Sequence, residues 1–280
     1  MNVQWYPGHM TKAVRSMQED IKLVDLIIEL LDARLPMSSR NPDINRLGQG
    51  KARLILLNKA DLADPVENDK WLKFFKASGA EAVLLDSRSN SGMNEIRSAV
   101  KAACREKRER DARRGIKNRP VRAMVAGIPN VGKSTFINSF AKKAVAKTGN
   151  KPGVTKGKQW IRLSNELELL DTPGILWPKF EDESVGLHLA MTGCINDEIL
   201  PKEELALAIA ALMKSAYPGR LNERYGADEE SSEAELLAAI ARRMGCIKKG
   251  GEADTLRAAA LLTDDFRAGR LGRISIERAL

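Results

Sequence analysis

Residues 127–134 read GIPNVGKS, which fits the pattern G-x-x-x-x-G-K-S of a phosphate-binding loop. Gly127 and Gly132 allow successive backbone N–H groups to wrap around phosphate oxygens, and Lys133 can reach the outer phosphates. The hydroxyl of Ser134 is suited to bind a magnesium ion beside them. The pattern lies between an apolar run and a helical run, which is the context that this chemistry requires. The sequence therefore predicts a nucleoside triphosphate site.

A second motif, DTPG at 171–174, comes at the end of an apolar run and is expected to contact the magnesium ion and the terminal phosphate. At such a position, P-loop enzymes hold an Asp that faces magnesium and a Gly whose N–H meets the terminal phosphate. We assign these roles to Asp171 and Gly174. Thr155 lies in the glycine-rich segment 149–157 and is expected to close over magnesium when the terminal phosphate is present, although a plain flexible loop would also contain a Thr.

The motif NKAD at 58–61 is predicted to read the base. The carboxylate of Asp61 can accept hydrogen bonds from the ring N–H and the amino group of guanine, and adenine lacks both donors. Asn58 can bond the purine edge, and the carbon stem of Lys59 can cover the base plane. The segment DSRSNSG at 86–92 follows the next apolar run, so Ser87 or one of its neighbours could offer a backbone N–H to the guanine oxygen. These residues predict a guanine nucleotide.

The order of the two nucleotide motifs is unusual, because the base-reading motif at 58–61 precedes the phosphate loop at 127–134. In a parallel sheet, the loops at the carboxyl ends of all strands meet along one edge. Their order in the chain can therefore be rotated while the site stays intact. We interpret the basic segment 105–120 as the connector that joins the old chain ends, and the rotation tethers the region after residue 174 directly to the switch region.

Six apolar runs, separated by helical patterns, predict one parallel sheet with helices on both faces. The runs are 26–32, 52–61, 80–87, 121–127, 158–163 and 166–174. From about residue 181, segments rich in Ala and Leu have a helical period. The predicted fold is thus α/β: a circularly permuted P-loop domain over residues 1–180, which begins with an amphipathic helix at 10–22, and a smaller all-helical domain over residues 181–280.

The composition indicates a basic globular protein, with 46 Lys and Arg against 37 Asp and Glu, a net charge of +9 and a pI near 9.5. Such a surface favours a polyanion, either nucleic acid or an anionic membrane. Three scattered cysteines form no zinc or redox pair, and no apolar run is long enough to span a membrane. We expect a cytoplasmic protein, monomeric and without a membrane partner.

The last third of the sequence carries cations that could bind RNA phosphates, although the same segment holds acids and charged helix faces are usually just solvated. These predicted RNA-binding residues are Lys248, Lys249, Arg257, Arg267, Arg270 and Arg273.

The chain resembles the circularly permuted GTPases, and within them the ribosome biogenesis GTPase A family, the YlqF-type assembly factors. The resemblance extends over nearly the whole chain, in the segments WYPGHMTKA, LLDARLP, NKAD, GIPNVGKST, PGVTKGKQ, LLDTPGILWP and DFRAGRLGRISIE. It implies a GTP hydrolase with GTP and Mg²⁺ as ligands, which binds the precursor of the large (50S) ribosomal subunit and couples hydrolysis to late assembly. It also implies that the helical domain contacts ribosomal RNA.

Ile175 follows Gly174, so no side chain at that position can orient the attacking water. The resemblance assigns this task to His9 in YPGHM, beside Lys133 and Gly174 as the other catalytic groups, but His9 could instead pack or contact RNA. Asn130 is similar to the Asn that holds a potassium ion in potassium-activated GTPases, although a loop Asn also tolerates a turn. The predicted nucleotide contacts along the phosphate loop are Asn130, Val131, Gly132, Lys133, Ser134 and Thr135.

Two other functions remain open from the sequence. An RNA-binding scaffold could use GTP as a structural ligand and would not need hydrolysis. A tRNA-modification GTPase shares the PNVGKS loop but normally shows unpermuted motifs. A small-subunit assembly GTPase is disfavoured, because that family usually adds an oligonucleotide-binding barrel and a Cys/His zinc module, and the sequence shows neither.

Overall fold

The computed structural model describes residues 17–116, 119–142, 159–172, 182–196 and 200–279. The described residues from 17 to 172, together with 277–279, form one compact unit, here called the α/β unit. Asp182–Ile276 form a second, here called the helical unit. Among the residues described, no helix has the length and apolar character needed to cross a membrane.

A six-stranded sheet forms the centre of the α/β unit, with the spatial order β3-β2-β1-β4-β6-β5. The six predicted strands are confirmed. They are β1 Leu26–Asp32, β2 Ala52–Asn58, β3 Glu81–Leu85, β4 Val121–Ala126, β5 Gln159–Arg162 and β6 Leu167–Asp171. Every residue of β1 is buried, and because successive side chains point to opposite faces, both faces of the sheet centre are covered.

The prediction of a wholly parallel sheet needs a correction at one edge. The pairs β3-β2, β2-β1, β1-β4 and β4-β6 are parallel, but β5 runs antiparallel to β6, with Arg162 opposite Glu168. Only residues 163–166 separate the two strands. A parallel pair needs a crossover of about a dozen residues or more, so this short connection enforces a hairpin.

Among the described residues, six helical segments pack around the sheet. They are α1 over residues 17–23, α2 Pro42–Leu47, α3 Pro65–Ala77, α4 Met93–Ala103, α5 Arg105–Arg113 and α6 Lys133–Ala141. The start of α3 is as predicted: Pro65 takes the first helical position, and the Asp64 carboxylate accepts from the Val66 N–H at 2.8 Å. Residues 10–16 of the predicted first helix lie outside the described residues.

Two apolar clusters make up much of the core of the α/β unit. In one, Trp71 and Phe75 of α3 pack with β1 and β2. In the other, Met17 and Ile21 of α1 pack with β1, β4 and β6. The period of the apolar stripe on each helix matches the apolar surface of the sheet, and this packing stabilises the two segments as helices.

The helical unit contains the all-helical architecture predicted for the last third of the chain. Its helices are α7 Glu183–Met191, α8 Lys202–Ala216, α9 Arg220–Tyr225, α10 Glu233–Arg243 and α11 Thr255–Arg267. Leu205, Ile209 and Met213 form the buried stripe of α8, which packs against α10 and α11. Ser232 and Glu235 form a capping box at the start of α10.

The segment 277–279 belongs to the α/β unit. The carboxylate of Glu277 accepts from the backbone N–H groups of Met37 (2.7 Å) and Ser38 (2.9 Å), and also from the Ser38 hydroxyl. The Glu277 N–H donates to the carbonyl of Arg34 at 3.2 Å. These bonds hold the loop between β1 and α2 in place.

We predict that Glu277→Ala lowers the free energy of unfolding of the α/β unit by about 1–2 kcal/mol, because charge-assisted hydrogen bonds to two backbone N–H groups are lost. Urea unfolding followed by tryptophan fluorescence measures this, since all four tryptophans of the chain precede residue 182. Arg278→Ala, a change at the exposed neighbouring side chain, is the control. Equal unfolding midpoints for both variants and the wild type would contradict the prediction.

Candidate functional site

The phosphate loop connects β4 to α6 through two left-handed backbone positions. Asn130 has φ +58° and Gly132 has φ +99°. An added Cβ at Gly132 would lie 2.4 Å from Nδ2 of Asn58, so a side chain there would push into the base-reading loop. Gly132 is therefore required both by its backbone conformation and by the close approach of a second loop.

Asp171 ends β6, and Lys133 begins α6 after the loop that follows the neighbouring strand β4. The Nζ of Lys133, which is 8% exposed, donates to the carbonyls of Gly127 (2.9 Å) and Ile128 (2.8 Å). Asp171 is 2% exposed, and its Oδ1 has no hydrogen-bond partner among the described residues. Burial raises the pKa of Asp171, and the positive charge of Lys133 opposes that shift.

The donor set around Asp171 fits a magnesium ion. Mg²⁺ prefers carboxylate and hydroxyl oxygens and usually binds through one or two protein groups beside substrate phosphates. The buried, unbonded Oδ1 of Asp171 is such a group, and Ser134, in the first turn of α6, supplies a half-buried hydroxyl.

Asn58, at the end of β2, connects three loops. Its Nδ2 donates to the carbonyl of Val131 at 2.7 Å, and its Oδ1 accepts from the N–H (3.1 Å) and the hydroxyl (2.8 Å) of Ser87. The hydroxyl of Ser139 in α6 donates in turn to the Ser87 carbonyl at 2.8 Å. The phosphate loop, the base-reading loop and the loop after β3 are thereby held as one assembly.

Ser87 supports the base-reading loop, because its backbone N–H donates to Asn58. The expected contact between the guanine oxygen and a backbone N–H of Ser87 or a neighbouring residue stays a prediction. An amide nitrogen carries two N–H groups, and Asn58 uses one of them on Val131. The second is the group that could reach the purine edge. The sequence analysis predicted a bond from Asn58 to the purine edge but not the bonds of Asn58 with Val131 and Ser87, because no periodic sequence pattern signals contacts between separate loops.

Lys59 is anchored by a buried carboxylate. Its backbone has φ +60°, and its Nζ lies 2.9 Å from Oδ2 of Asp32, which is fully buried at the end of β1. Arg34 donates to the same carboxylate through Nε (3.0 Å) and Nη2 (2.8 Å). Burial by itself would raise the pKa of Asp32, but Arg34 and Lys59 hold it well below its ordinary value.

This ion pair bears on the base site because it fixes the far end of the Lys59 side chain. A stem held at both ends suits the predicted role of covering the base plane. Sequence reasoning did not assign Asp32 a role, and the only signal for it was the segment LLDARLP.

Asp61 lies exposed on the loop after β2. Partial burial raises its pKa, and the negative charge of Asp86 raises it further. Pairing with the two donors of guanine requires the ionised carboxylate. As the pH falls, Asp61 is therefore protonated at a higher pH than an Asp of ordinary pKa, and its pairing with guanine is lost there.

Three of the predicted site residues are not described by the structure, and two of the predicted RNA-binding residues have partners within the helical unit. His9, Thr155 and Gly174 lie outside the described residues. In the helical unit, Arg267 donates to the carbonyls of Met191 (3.1 Å) and Ala190 (2.7 Å) at the end of α7.

Arg270 pairs with the buried Asp265, so it too has a structural partner inside the helical unit. The other four predicted RNA-binding residues of that unit are exposed. They are Lys248, Lys249, Arg257 and Arg273.

Comparison with known proteins identifies the family. The family model described as 50S ribosome-binding GTPase matches residues 122–213. Ribosome biogenesis GTPase A of Bacillus cereus is 48% identical over 278 residues, which covers 99% of this chain and 94% of that protein. The chain belongs to the ribosome biogenesis GTPase A family. Ribosome biogenesis GTPase A of Priestia megaterium is 47% identical, covering 99% of this chain and 97% of that protein.

Solved structures of the family agree with this assignment. The GNP-bound YlqF of T. maritima matches with a TM-score of 0.67 at 28% identity, covering 96% of this chain and 98% of that one. A GDP-bound YlqF structure matches with a TM-score of 0.69 at 27% identity, covering 94% and 99%. The predicted family and the predicted GTPase activity are confirmed.

The sheet order explains the rotated motifs of the family. The phosphate-loop strand β4 has β6, with its DTPG motif, on one side and β1 on the other, and the NKAD strand β2 lies beside β1. All four strands are parallel, so their carboxyl ends share one edge. The predicted circular permutation of the P-loop domain is confirmed.

We predict that Asp61→Asn lowers the affinity for GTP by roughly 100-fold or more and raises the affinity for xanthosine triphosphate. An amide both accepts and donates, which matches the N–H and the oxygen of xanthine but not the two donors of guanine. Competition of GTP, xanthosine triphosphate and ATP against a fluorescent nucleotide measures the preference. Asp69→Asn, at an exposed carboxylate of α3, is the matched control, and an unchanged preference for GTP in Asp61→Asn would refute the assignment.

We also predict that Asp32→Asn weakens binding of GTP and GDP about tenfold, because Lys59 loses the charge that holds its ammonium. Equilibrium titration of both nucleotides measures the effect. The ratio of the two affinities should stay constant, since Lys59 is predicted to contact the base and not the terminal phosphate.

The control for Asp32→Asn is Glu29→Gln. Glu29 is also a fully buried carboxylate of β1, bound by Arg53 (2.9 Å) and Arg40 (3.4 Å), and it has no bond to Lys59. Both variants disturb a buried ion pair and so both should lose stability. Only Asp32→Asn should lose nucleotide affinity, and similar affinity losses in the two would mean that Asp32 acts through stability alone.

Proposed function

We propose that the chain binds the precursor of the large (50S) ribosomal subunit and couples GTP hydrolysis to the late assembly of that subunit. The observation that carries the proposal is similarity over nearly the full length to proteins named ribosome biogenesis GTPase A, at 45–48% identity. The description of the matching family model as a 50S ribosome-binding GTPase supports the same partner.

The guanine nucleotide binds across the loops that Asn58 connects. Asp61 pairs with the base, Lys59 covers it, and the phosphate loop from Asn130 to Thr135 holds the phosphates. The bound forms named for the YlqF structures, with GDP and GNP, support this ligand class. Lys133 and the N–H of Gly174 stabilise the charge that develops on the terminal phosphate.

Magnesium and a monovalent cation complete the proposed site. Ser134, Asp171 and Thr155 hold Mg²⁺, which neutralises charge on the phosphates. Asn130 holds a potassium ion, which takes the place of an arginine finger beside them.

His9 orients the attacking water in this proposal, because Ile175 stands where a water-orienting side chain would otherwise follow Gly174. Slow turnover is the consequence in the absence of the ribosomal partner. The net charge of +9 favours binding to ribosomal RNA, which is a polyanion. The protein acts as a monomer in the cytoplasm.

The alternative with support from the residues is an RNA-binding scaffold that keeps GTP as a structural ligand. Ile175 favours it, since weak intrinsic hydrolysis suits a protein that does not use hydrolysis. The two functions differ in whether abolishing hydrolysis abolishes activity in cells.

We predict that purified large subunits stimulate GTP turnover, that potassium is needed for the stimulation and sodium does not replace it, and that His9→Ala largely removes it. Phosphate release in the two salts, with and without subunits, measures this. His188→Ala removes the only other histidine of the chain and serves as the control. Unchanged turnover on addition of subunits, in either salt, would favour the scaffold and count against assembly coupled to hydrolysis.

A further inference from the structure

The helical unit is net negative although the chain as a whole is net positive. Residues 182–276 contain 12 Lys and Arg against 16 Asp and Glu, whereas the rest of the chain contains 34 against 21. The described residues of the α/β unit carry 25 of those cations and 20 of those acids. The α/β unit is therefore net positive, and a polyanion is attracted to it more than to the helical unit.

Four cations lie along one face of α4 and α5 at helical spacing, and we call them the basic stripe. They are Arg97, Lys101, Arg105 and Arg108, and all four are exposed. The backbone bonds that continue through the junction are Cys104 N–H to Val100 (3.1 Å) and Arg108 N–H to Cys104 (3.0 Å). With a helical rise of about 1.5 Å per residue, the stripe is roughly 16 Å long.

The helix α5 has no apolar face. None of its side chains is buried. Lys107 turns towards the unit, where it pairs with Asp111 (2.9 Å) and Asp25 (3.4 Å). A helix that is polar all round gains little from core packing, so its outward charges are not there to stabilise the fold.

The cations of the stripe meet little competition from acids. Arg97 and Arg105 form no ion pair among the described residues. Lys101 and Arg108 lie 3.6 Å and 3.9 Å from the carboxylate of Glu166, and these pairs are largely exposed to solvent. Exposed pairs of this kind contribute little, so incoming phosphates can displace Glu166.

We propose that the basic stripe is an RNA-binding surface that follows the phosphate backbone of ribosomal RNA. The identity of the RNA rests on the proposed function. The charge distribution moves the main phosphate contact from the helical unit, where sequence reasoning expected it, to the GTPase domain. Phosphate contacts made by flexible cations carry affinity and a strong salt dependence, and they carry little sequence specificity.

The test is binding of a fluorescein-labelled, structured fragment of large-subunit ribosomal RNA at several salt concentrations. The stripe variant carries Arg97→Gln, Lys101→Gln, Arg105→Gln and Arg108→Gln. We expect its affinity at low salt to fall about tenfold or more and the slope of log affinity against log salt to become shallower by roughly 3. Glu166→Gln should act in the opposite direction and tighten binding, because it removes the acid that pairs with Lys101 and Arg108.

The matched control neutralises the same number of cations in the helical unit. Its substitutions are Lys248→Gln, Lys249→Gln, Arg257→Gln and Arg273→Gln. This variant should keep most of the affinity and the salt slope. A larger loss in the control than in the stripe variant, or equal losses in both, would overturn the inference.

Two further measurements separate this inference from the proposed function. Wild-type protein that fails to bind the RNA, while large subunits still stimulate its GTP turnover, would overturn the stripe and leave the proposed function standing. Vesicles containing anionic phospholipid form the second arm, and stripe-dependent binding to them that is tighter than binding to RNA would overturn the choice of RNA. Intrinsic GTP turnover should be unchanged in the stripe variant, because its residues lie outside the nucleotide site.

Discussion

The hydrogen bonds of Asn58 are the interaction on which the nucleotide site depends. They reach Val131 in the phosphate loop and Ser87 in the loop after β3, which are far apart in the chain. Gly132 approaches the same amide so closely that no side chain fits between them. One buried polar group thus sets the distance between the part of the site that reads the base and the part that holds phosphates, because a buried amide must keep its hydrogen bonds.

The rotated motif order has a simple structural consequence. A parallel sheet brings its loops to one edge whatever their order in the chain, so the site tolerates permutation. Permutation changes which chain segments lie on the domain. The polar, basic helix α5 follows α4 and connects the half with the NKAD motif to the half with the phosphate loop. Glu277, near the end of the sequence, binds the loop after β1. Both segments lie on the GTPase domain but outside its nucleotide site, where they are free to serve stability or a partner.

Much of this protein was predictable because strong local patterns were present. The run LIIELLD coincides with β1, and the phosphate-loop pattern lies between β4 and α6. Both were predictable because a buried parallel strand requires a continuous apolar run and a phosphate loop requires a fixed pattern of Gly and Lys. Three features were not predicted: the antiparallel direction of β5, the hydrogen bond from Ser87 to Asn58, and the ion pair of Asp32 with Lys59. Each depends on which segments become neighbours, and that information is not local.

The sequence by itself determined the family, through motifs that extend over nearly the full length, and it predicted the chemistry of the site: a glycine-rich loop with Lys133 for phosphates and a carboxylate at Asp61 for guanine. These follow from residue types at short spacing, because backbone wrapping and base pairing need particular groups in particular order. Only the tertiary structure decided how those groups are supported and where the surface charge lies. Burial leaves Oδ1 of Asp171 without a hydrogen-bond partner among the described residues, and the charges of Arg34 and Lys59 hold the pKa of the buried Asp32 below its ordinary value. The basic stripe on α4 and α5 is left exposed. Solvation and charge pairing depend on packing between segments that are distant in the chain.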